Sequence, residues 1–182
     1  MKQAIHTHQM ALVGLMTALL CITAPFSFQL PFSPVPLSLA TFSIYFCVMV
    51  LGLKLGGLSV CLYVLLGLAG LPVFSNFTGG VGRLLGPTGG YILGYIFMAY
   101  ICGIFVDKLL WKPGFVLIGM IFGTAVCYLF GTCWLSFQTS LTLSQAFLSA
   151  IAPFLVGDFI KIAGAMALGY QVRKRLIKAN LI

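Results

Sequence analysis

Six long apolar runs divide this 182-residue sequence, at 10–28, 37–53, 55–74, 90–106, 114–137 and 146–172. The runs are continuous and Gly-interrupted, without the strict alternation of a half-buried strand. A hydrocarbon core of ~30 Å takes roughly 20 helical residues to cross, so the length accommodates six such helices with short connections. Closed β-barrels use short alternating segments instead, and these runs do not alternate. The first run follows Lys2 and has the look of a signal peptide. It lacks an A-x-A-like cleavage site and five more runs follow, so it reads as a retained helix. The pattern predicts an all-α integral membrane protein, a six-transmembrane-helix bundle formed as one domain over 1–182, with a long external Gly-rich loop between helices 3 and 4.

Composition agrees. Hydrophobic residues make up 61% and charged residues 7% of the chain, against about a quarter charged in soluble domains. The net charge of +8 rests on ten basic residues scattered between the runs, not gathered in a stripe suited to nucleic acid. Their distribution instead gives orientation: Lys2, Lys54, Lys108, Lys112, Arg173, Lys174, Arg175 and Lys178 fall at the termini or at even-numbered connections. By the positive-inside rule both termini are cytoplasmic in a multi-pass cell-membrane protein. Trp111 and Trp134 fall at expected membrane interfaces, where aromatic belts form. The six cysteines all lie inside apolar runs and show no C-x-x-C or metal-ligand spacing, so they read as packing residues.

Connections on the two sides differ. Lys54 alone separates the second and third runs, whereas the stretch 70–89 carries Asn76, Thr78, Arg83 and several glycines. Long loops in compact proteins often carry function, and this one is expected to fold over the outer face.

Asp158 and Lys161 lie within the last apolar run, and Asp158 is one of two acidic residues in the chain. A lone charge at mid-membrane costs ~2.5–3.5 kcal/mol on insertion scales, so such residues pair and mark a pathway or site. The i, i+3 spacing puts both on one helical face. Counting back from Arg173 at 1.5 Å per residue places them roughly 22 and 18 Å above that anchor, in the outer half of the membrane. Pro153 is expected to kink this helix near its outer end. Asp107, beside Lys108 at a cytoplasmic helix end, reads as an ordinary solvated charge. Small residues recur four apart at Gly14 and Ala18, Gly90 and Gly94, and Gly119 and Gly123, allowing close helix contact, by default within the chain.

With PVPLSLATF opening the second run, LGLKLGGLSVCLYVLLGLAGLPVF across the second and third, GGVGRLLGPTGGYILGY entering the fourth and PFLVGDFIKIAGA in the last, the chain resembles the biotin-specific substrate-binding (S) subunits of energy-coupling-factor (ECF) vitamin importers, the BioY family. The resemblance implies a membrane subunit, not an enzyme, that captures biotin externally and docks on a transmembrane coupling subunit with two ABC-type ATPase subunits. It implies ligand contacts at Asn76, Asp158 and Lys161, and a docking surface on the first helix at Ala11, Gly14 and Ala18. Where many relatives have a glutamine before the threonine of the second-run motif, this chain has Ala40 before Thr41.

The residues themselves are compatible with biotin. Asp158 accepts from ureido N–H groups, Lys161 donates to a carbonyl or carboxylate, and Asn76 does either. Phe74 and Tyr91 supply apolar walls, and Arg83 stands either as a steering charge for an anionic ligand or as a solvated loop charge. The same chemistry suits other small amphipathic vitamins. A membrane-embedded enzyme or an autonomous carrier using the Asp158/Lys161 pair is the competing reading. No H-E-x-x-H, G-x-S-x-G or G-x-x-x-x-G-K-[ST] motif is present, and His6 and His8 precede the first run, so no cofactor is expected and ATP hydrolysis falls to partners. Lipid is the surrounding partner; nucleic acid is not.

Overall fold

The computed structural model describes residues 7–31, 33, 35–109, 112–150, 154–179 and 181. The order is α1 (Thr7–Thr23), β1 (Ser27–Phe28), β2 (Leu37–Ser38), α2 (Ala40–Leu68), a 3-10 turn at Ser75–Phe77, α3 (Val81–Leu84), α4 (Gly89–Leu109), α5 (Pro113–Thr139), α6 (Leu143–Ala150) and α7 (Leu155–Lys178). Among the described residues four helices, α2, α4, α5 and α7, are long and apolar enough to cross a membrane. Phe137, Val156 and Ile160 are 83%, 74% and 71% exposed, and the apolar exterior of which they are part suits hydrocarbon, not water.

α2 reverses at Gly52, whose φ of 76° and ψ of −164° lie in a region essentially reserved for glycine. A Cβ at Gly56 would stand 3.0 Å from the Cα of Val48, whereas eight residues of straight helix span about 12 Å. The arms 40–51 and 53–68 therefore lie against each other as a hairpin, and the turn is at Gly52, not at Lys54 as the sequence suggested.

The first arm is the centre of the molecule, with Ile44, Tyr45, Cys47, Val48 and Val50 fully buried. α2 packs against α1, α4 and α7, and α4 packs along α5, while α5 and α7 barely meet. Small residues set the α4–α5 spacing: a Cβ at Gly94 would come 3.0 Å from the Cα of Cys127, and one at Gly123 would meet Cys102 Sγ at 2.7 Å. These pairs thus serve packing within the chain. Cys47, Cys102 and Cys127 are buried there as free thiols.

Two boundaries differ from expectation. α1 stops at Thr23 because Ala24 precedes Pro25, which disfavours helix at the residue before it; residues 27–28 then pair antiparallel with 37–38. The last apolar run divides into α6 and α7, so Asp158 sits in the first turn of α7, where the positive helix end favours a carboxylate. The kink expected at Pro153, the belt position of Trp111, and Lys2 and His6 lie outside the described residues.

Asp107 is exposed, as expected of a solvated charge, but it is also bonded to two partners. Its Oδ2 accepts from Leu53 N at 2.9 Å and its Oδ1 from Arg173 Nη2 at 2.8 Å, tying the Gly52 turn, the end of α4 and α7 together. The reason is local: the turn leaves the first N–H groups of the second arm without helical acceptors, and a carboxylate satisfies them. That cluster marks the basic end of the bundle. Asp158, the β1–β2 pair and the 69–88 loop lie at the opposite end.

Candidate ligand-binding site

The start of α7 brings Asp158 against α5 and Lys161 against the entry to α2. The two side chains form an ion pair of 3.2 Å and are 7% and 13% exposed. Tyr128 of α5 donates to Asp158 Oδ2. Lys161 Nζ also donates to Ser38 O at 2.9 Å and to Thr41 Oγ1 at 3.1 Å.

These contacts assign different capacities to the pair. An ammonium has three donors, and Lys161 has committed all three, to Ser38, Thr41 and Asp158. An ionised carboxylate has about four acceptor sites, of which Asp158 uses one for Lys161 and one for Tyr128. The group offered to a ligand is therefore an acceptor. The donor role expected of Lys161 goes instead to holding the α2 entry and orienting the carboxylate.

Asp158 and Lys161 close one end of a cavity of about 40 Å³ walled by Val35, Pro36, Tyr91, Tyr95 and Tyr128. A second cavity of about 20 Å³ shares Val35, Pro36, Tyr91 and Tyr95 and continues to Phe74 and Arg83. The shared walls make one narrow trough, with the anionic Asp158 at one end and the cationic Arg83 at the other. Both side-chain carboxylates of the chain are engaged elsewhere, Asp158 with Lys161 and Asp107 with Arg173, so Arg83 has no carboxylate side chain to pair with.

Phe74 is buried edge-on to Tyr63, with ring centroids 5.7 Å apart, and Tyr91 OH lies 3.5 Å from Thr132 Oγ1. Asn76 is placed differently. It is exposed, adopts φ 61°, and uses both its backbone and side chain on the β1 end: Oδ1 accepts from Ser27 Oγ at 2.7 Å and N donates to that hydroxyl at 2.9 Å. It borders neither cavity and acts here as a clip between the loop and β1.

The loop 69–88 is ordered by Phe74–Thr78 bridging, by Gly80 N donating to Gly67 O at 2.7 Å, and by Trp134 Nε1 donating to Gly86 O at 2.9 Å. Trp134 is thus a loop anchor. Tyr128, Tyr95, Ser38, Val35 and Pro36 were not singled out from sequence. A tyrosine in an apolar helix has no local signature of its partner.

The α1 face opposite the buried Val13, Met16, Thr17 and Leu20 exposes Ala11, Gly14 and Ala18. A Cβ added at Gly14 would meet nothing within 4 Å.

The family model described as the BioY family matches residues 1–178. The chain is 37% identical to the biotin transporter BioY of Thermotoga maritima and 35% identical to the probable biotin transporter BioY of Pyrococcus horikoshii, in each case across 91% of this chain and 96% of the relative. It also resembles the crystal structure of the S-component for biotin from an ECF-type ABC transporter, with a TM-score of 0.85 at 30% identity over 94% of this chain and 95% of that one. Apolar helices long enough to cross a bilayer, an apolar exterior and these matches along nearly the whole length lead to one conclusion: the chain is a multi-pass membrane protein that belongs to the BioY family.

Proposed function

We propose that this chain is the biotin-binding S component of an energy-coupling-factor importer, which captures biotin at the trough and relies on partner subunits for ATP hydrolysis. The observation that carries the reading is the trough's polarity. Asp158, with acceptor capacity left, meets the ureido N–H donors; Tyr91, Tyr95, Phe74, Val35 and Pro36 flank the apolar thioether ring and valeryl chain; Arg83 receives the carboxylate. Lys161 positions Asp158, and Asn76 holds the loop in place. The relatives named as biotin transporters support the same ligand.

Ligand pockets for small molecules typically measure ~300–1,000 Å³, far more than the two small cavities offer. Capture therefore spreads the trough, with the segment around Val35 and Pro36 and the 69–88 loop moving apart and closing again. The chain crosses the membrane six times, through α1, both arms of α2, α4, α5 and α7. Both termini and the Asp107–Arg173 cluster lie in the cytoplasm, and the trough opens outward, in keeping with the positive-inside distribution. A transmembrane coupling subunit, working with two ATPase subunits, docks on Ala11, Gly14 and Ala18, since close packing of small residues drives helix association in lipid.

The test is uptake of labelled biotin by a host that lacks its own biotin transport. The chain together with coupling and ATPase subunits restores uptake, and purified chain alone retains biotin without converting it. Formation of a product from biotin by the purified chain overturns the reading in favour of an enzyme.

A further inference from the structure

Between α5 and α7, where the two helices hardly touch, a groove of about 700 Å³ opens on the surface of the bundle at its basic end. Its walls include Met49, Val116, Leu117, Ala163, Met166 and Ala167. The groove lies along membrane-spanning helices, so its walls face hydrocarbon.

The charge at its mouth narrows what fills it. On α7 the lining positions Ala163, Ala167, Tyr170 and Gln171 follow one helical face, and the same three- and four-residue steps carry that face on to the exposed Lys174 and Lys178. On α5 the lining begins at Pro113, directly after Lys112, whose exposed ammonium lies 5.8 Å from the centre of the Phe115 ring. Three exposed lysines thus lie just beyond the same end of an apolar groove, one preceding its α5 wall and two continuing its α7 wall, and the chain's two acidic side chains are already engaged with Lys161 and Arg173. A slot of this kind, apolar along its length and cationic at its cytoplasmic mouth, matches an amphipathic anion with a long tail.

We propose that the α5–α7 groove binds one anionic phospholipid, its acyl chain along Ala163, Met166 and Ala167 and its phosphate among Lys112, Lys174 and Lys178. Through Phe159 the groove continues into a crevice of about 120 Å³ backed by Asp158 and Tyr128. The acyl tail therefore packs against the rear of the Asp158–Tyr128 wall of the trough.

Native mass spectrometry of the detergent-purified chain, incubated with phosphatidylglycerol or with phosphatidylcholine of the same acyl composition, tests this. Juxtamembrane lysines each add appreciably to anionic-lipid binding, so retention of phosphatidylglycerol is expected to exceed that of phosphatidylcholine by on the order of tenfold. In Lys112→Gln/Lys174→Gln/Lys178→Gln that preference collapses; in Ala163→Phe/Ala167→Phe retention of both lipids falls. Equal retention of the two lipids by the unaltered chain, or a preference that survives the triple lysine variant, overturns the proposal. A phosphatidylglycerol carrying a photoreactive acyl chain gives a readout without any substitution: labelling concentrated on 163–171 and 113–117 is expected, and labelling spread evenly over all membrane-facing helices contradicts it.

Discussion

Lys161 holds its ammonium 3.2 Å from Oδ1 of Asp158, one helical turn away on α7, and spends its other two donors on Ser38 and Thr41. The pair is therefore asymmetric: the lysine is saturated, and the carboxylate is oriented with acceptor sites to spare. Lys161→Ala leaves that carboxylate buried and without its counter-charge, a change that typically costs ~3–5 kcal/mol. Folding yield and biotin retention both fall in that variant. Asp158→Asn/Lys161→Met removes both charges together, so it folds with a thermal midpoint near the parent but binds biotin weakly. Normal biotin binding by this double variant would leave the pair with a packing role only.

Arg83 is the cation at the other end of the trough. Arg83→Gln lowers biotin affinity, with association slowed more at low ionic strength than at high, because exposed charges attract over a distance set by the ~10 Å Debye length at 0.1 M salt. Stopped-flow association rates across a salt series check it. Rates that are independent of salt in both proteins return Arg83 to an ordinary loop charge.

Gly52 permits the α2 reversal. An added Cβ there would lie 2.8 Å from Arg173 Nη1 and would collide with Asp107 Oδ1, in a backbone conformation that side chains rarely adopt. Strain in such a region costs about 1–3 kcal/mol before the displaced carboxylate is counted. Gly52→Ala lowers the thermal unfolding midpoint of the purified protein, and Asp107→Asn lowers it less, since the amide oxygen still accepts from Leu53 N. A midpoint unchanged in Gly52→Ala would show that the turn is more pliable than its contacts suggest.

Ala11, Gly14 and Ala18 face outward from α1. Gly14→Trp or Ala18→Trp abolishes biotin uptake in cells that carry the coupling subunits and leaves biotin binding by the isolated chain nearly unchanged. Joint loss of both activities would place these residues in the packing of the bundle.

The all-helical, membrane-spanning character was legible because the bilayer imposes a length and a composition on a crossing helix, and α2, α4, α5 and α7 display both. What was not legible depended on backbone geometry. The reversal at Gly52 leaves no trace in hydropathy, since the residues on either side are equally apolar, and Lys54 drew the boundary two residues too far along. That the exposed Asp107 also bonds was not legible, because its partners, Leu53 N and Arg173, are 54 and 66 residues away in the chain.

The same holds at the site. Asp158 and Lys161 announced themselves, as charges in an apolar run do. Tyr128 and Thr41, which decide how each charge is used, are unremarkable in sequence. Asn76 entered through the family resemblance, and neither its left-handed backbone nor its bonds to Ser27 could be read from the sequence.

In the proposed function the trough takes biotin, ureido ring toward Asp158 and carboxylate toward Arg83. Calorimetric titration of the purified chain, free of nucleotide and of every partner subunit, with biotin and then with biotin methyl ester tests it most directly. One biotin per chain is expected to bind tightly, and the ester on the order of ten- to a hundredfold more weakly to the unaltered chain, in line with loss of a charge-assisted pair. In Arg83→Gln the two ligands bind alike. Absence of biotin binding, or an ester penalty that persists in full without Arg83, would contradict it.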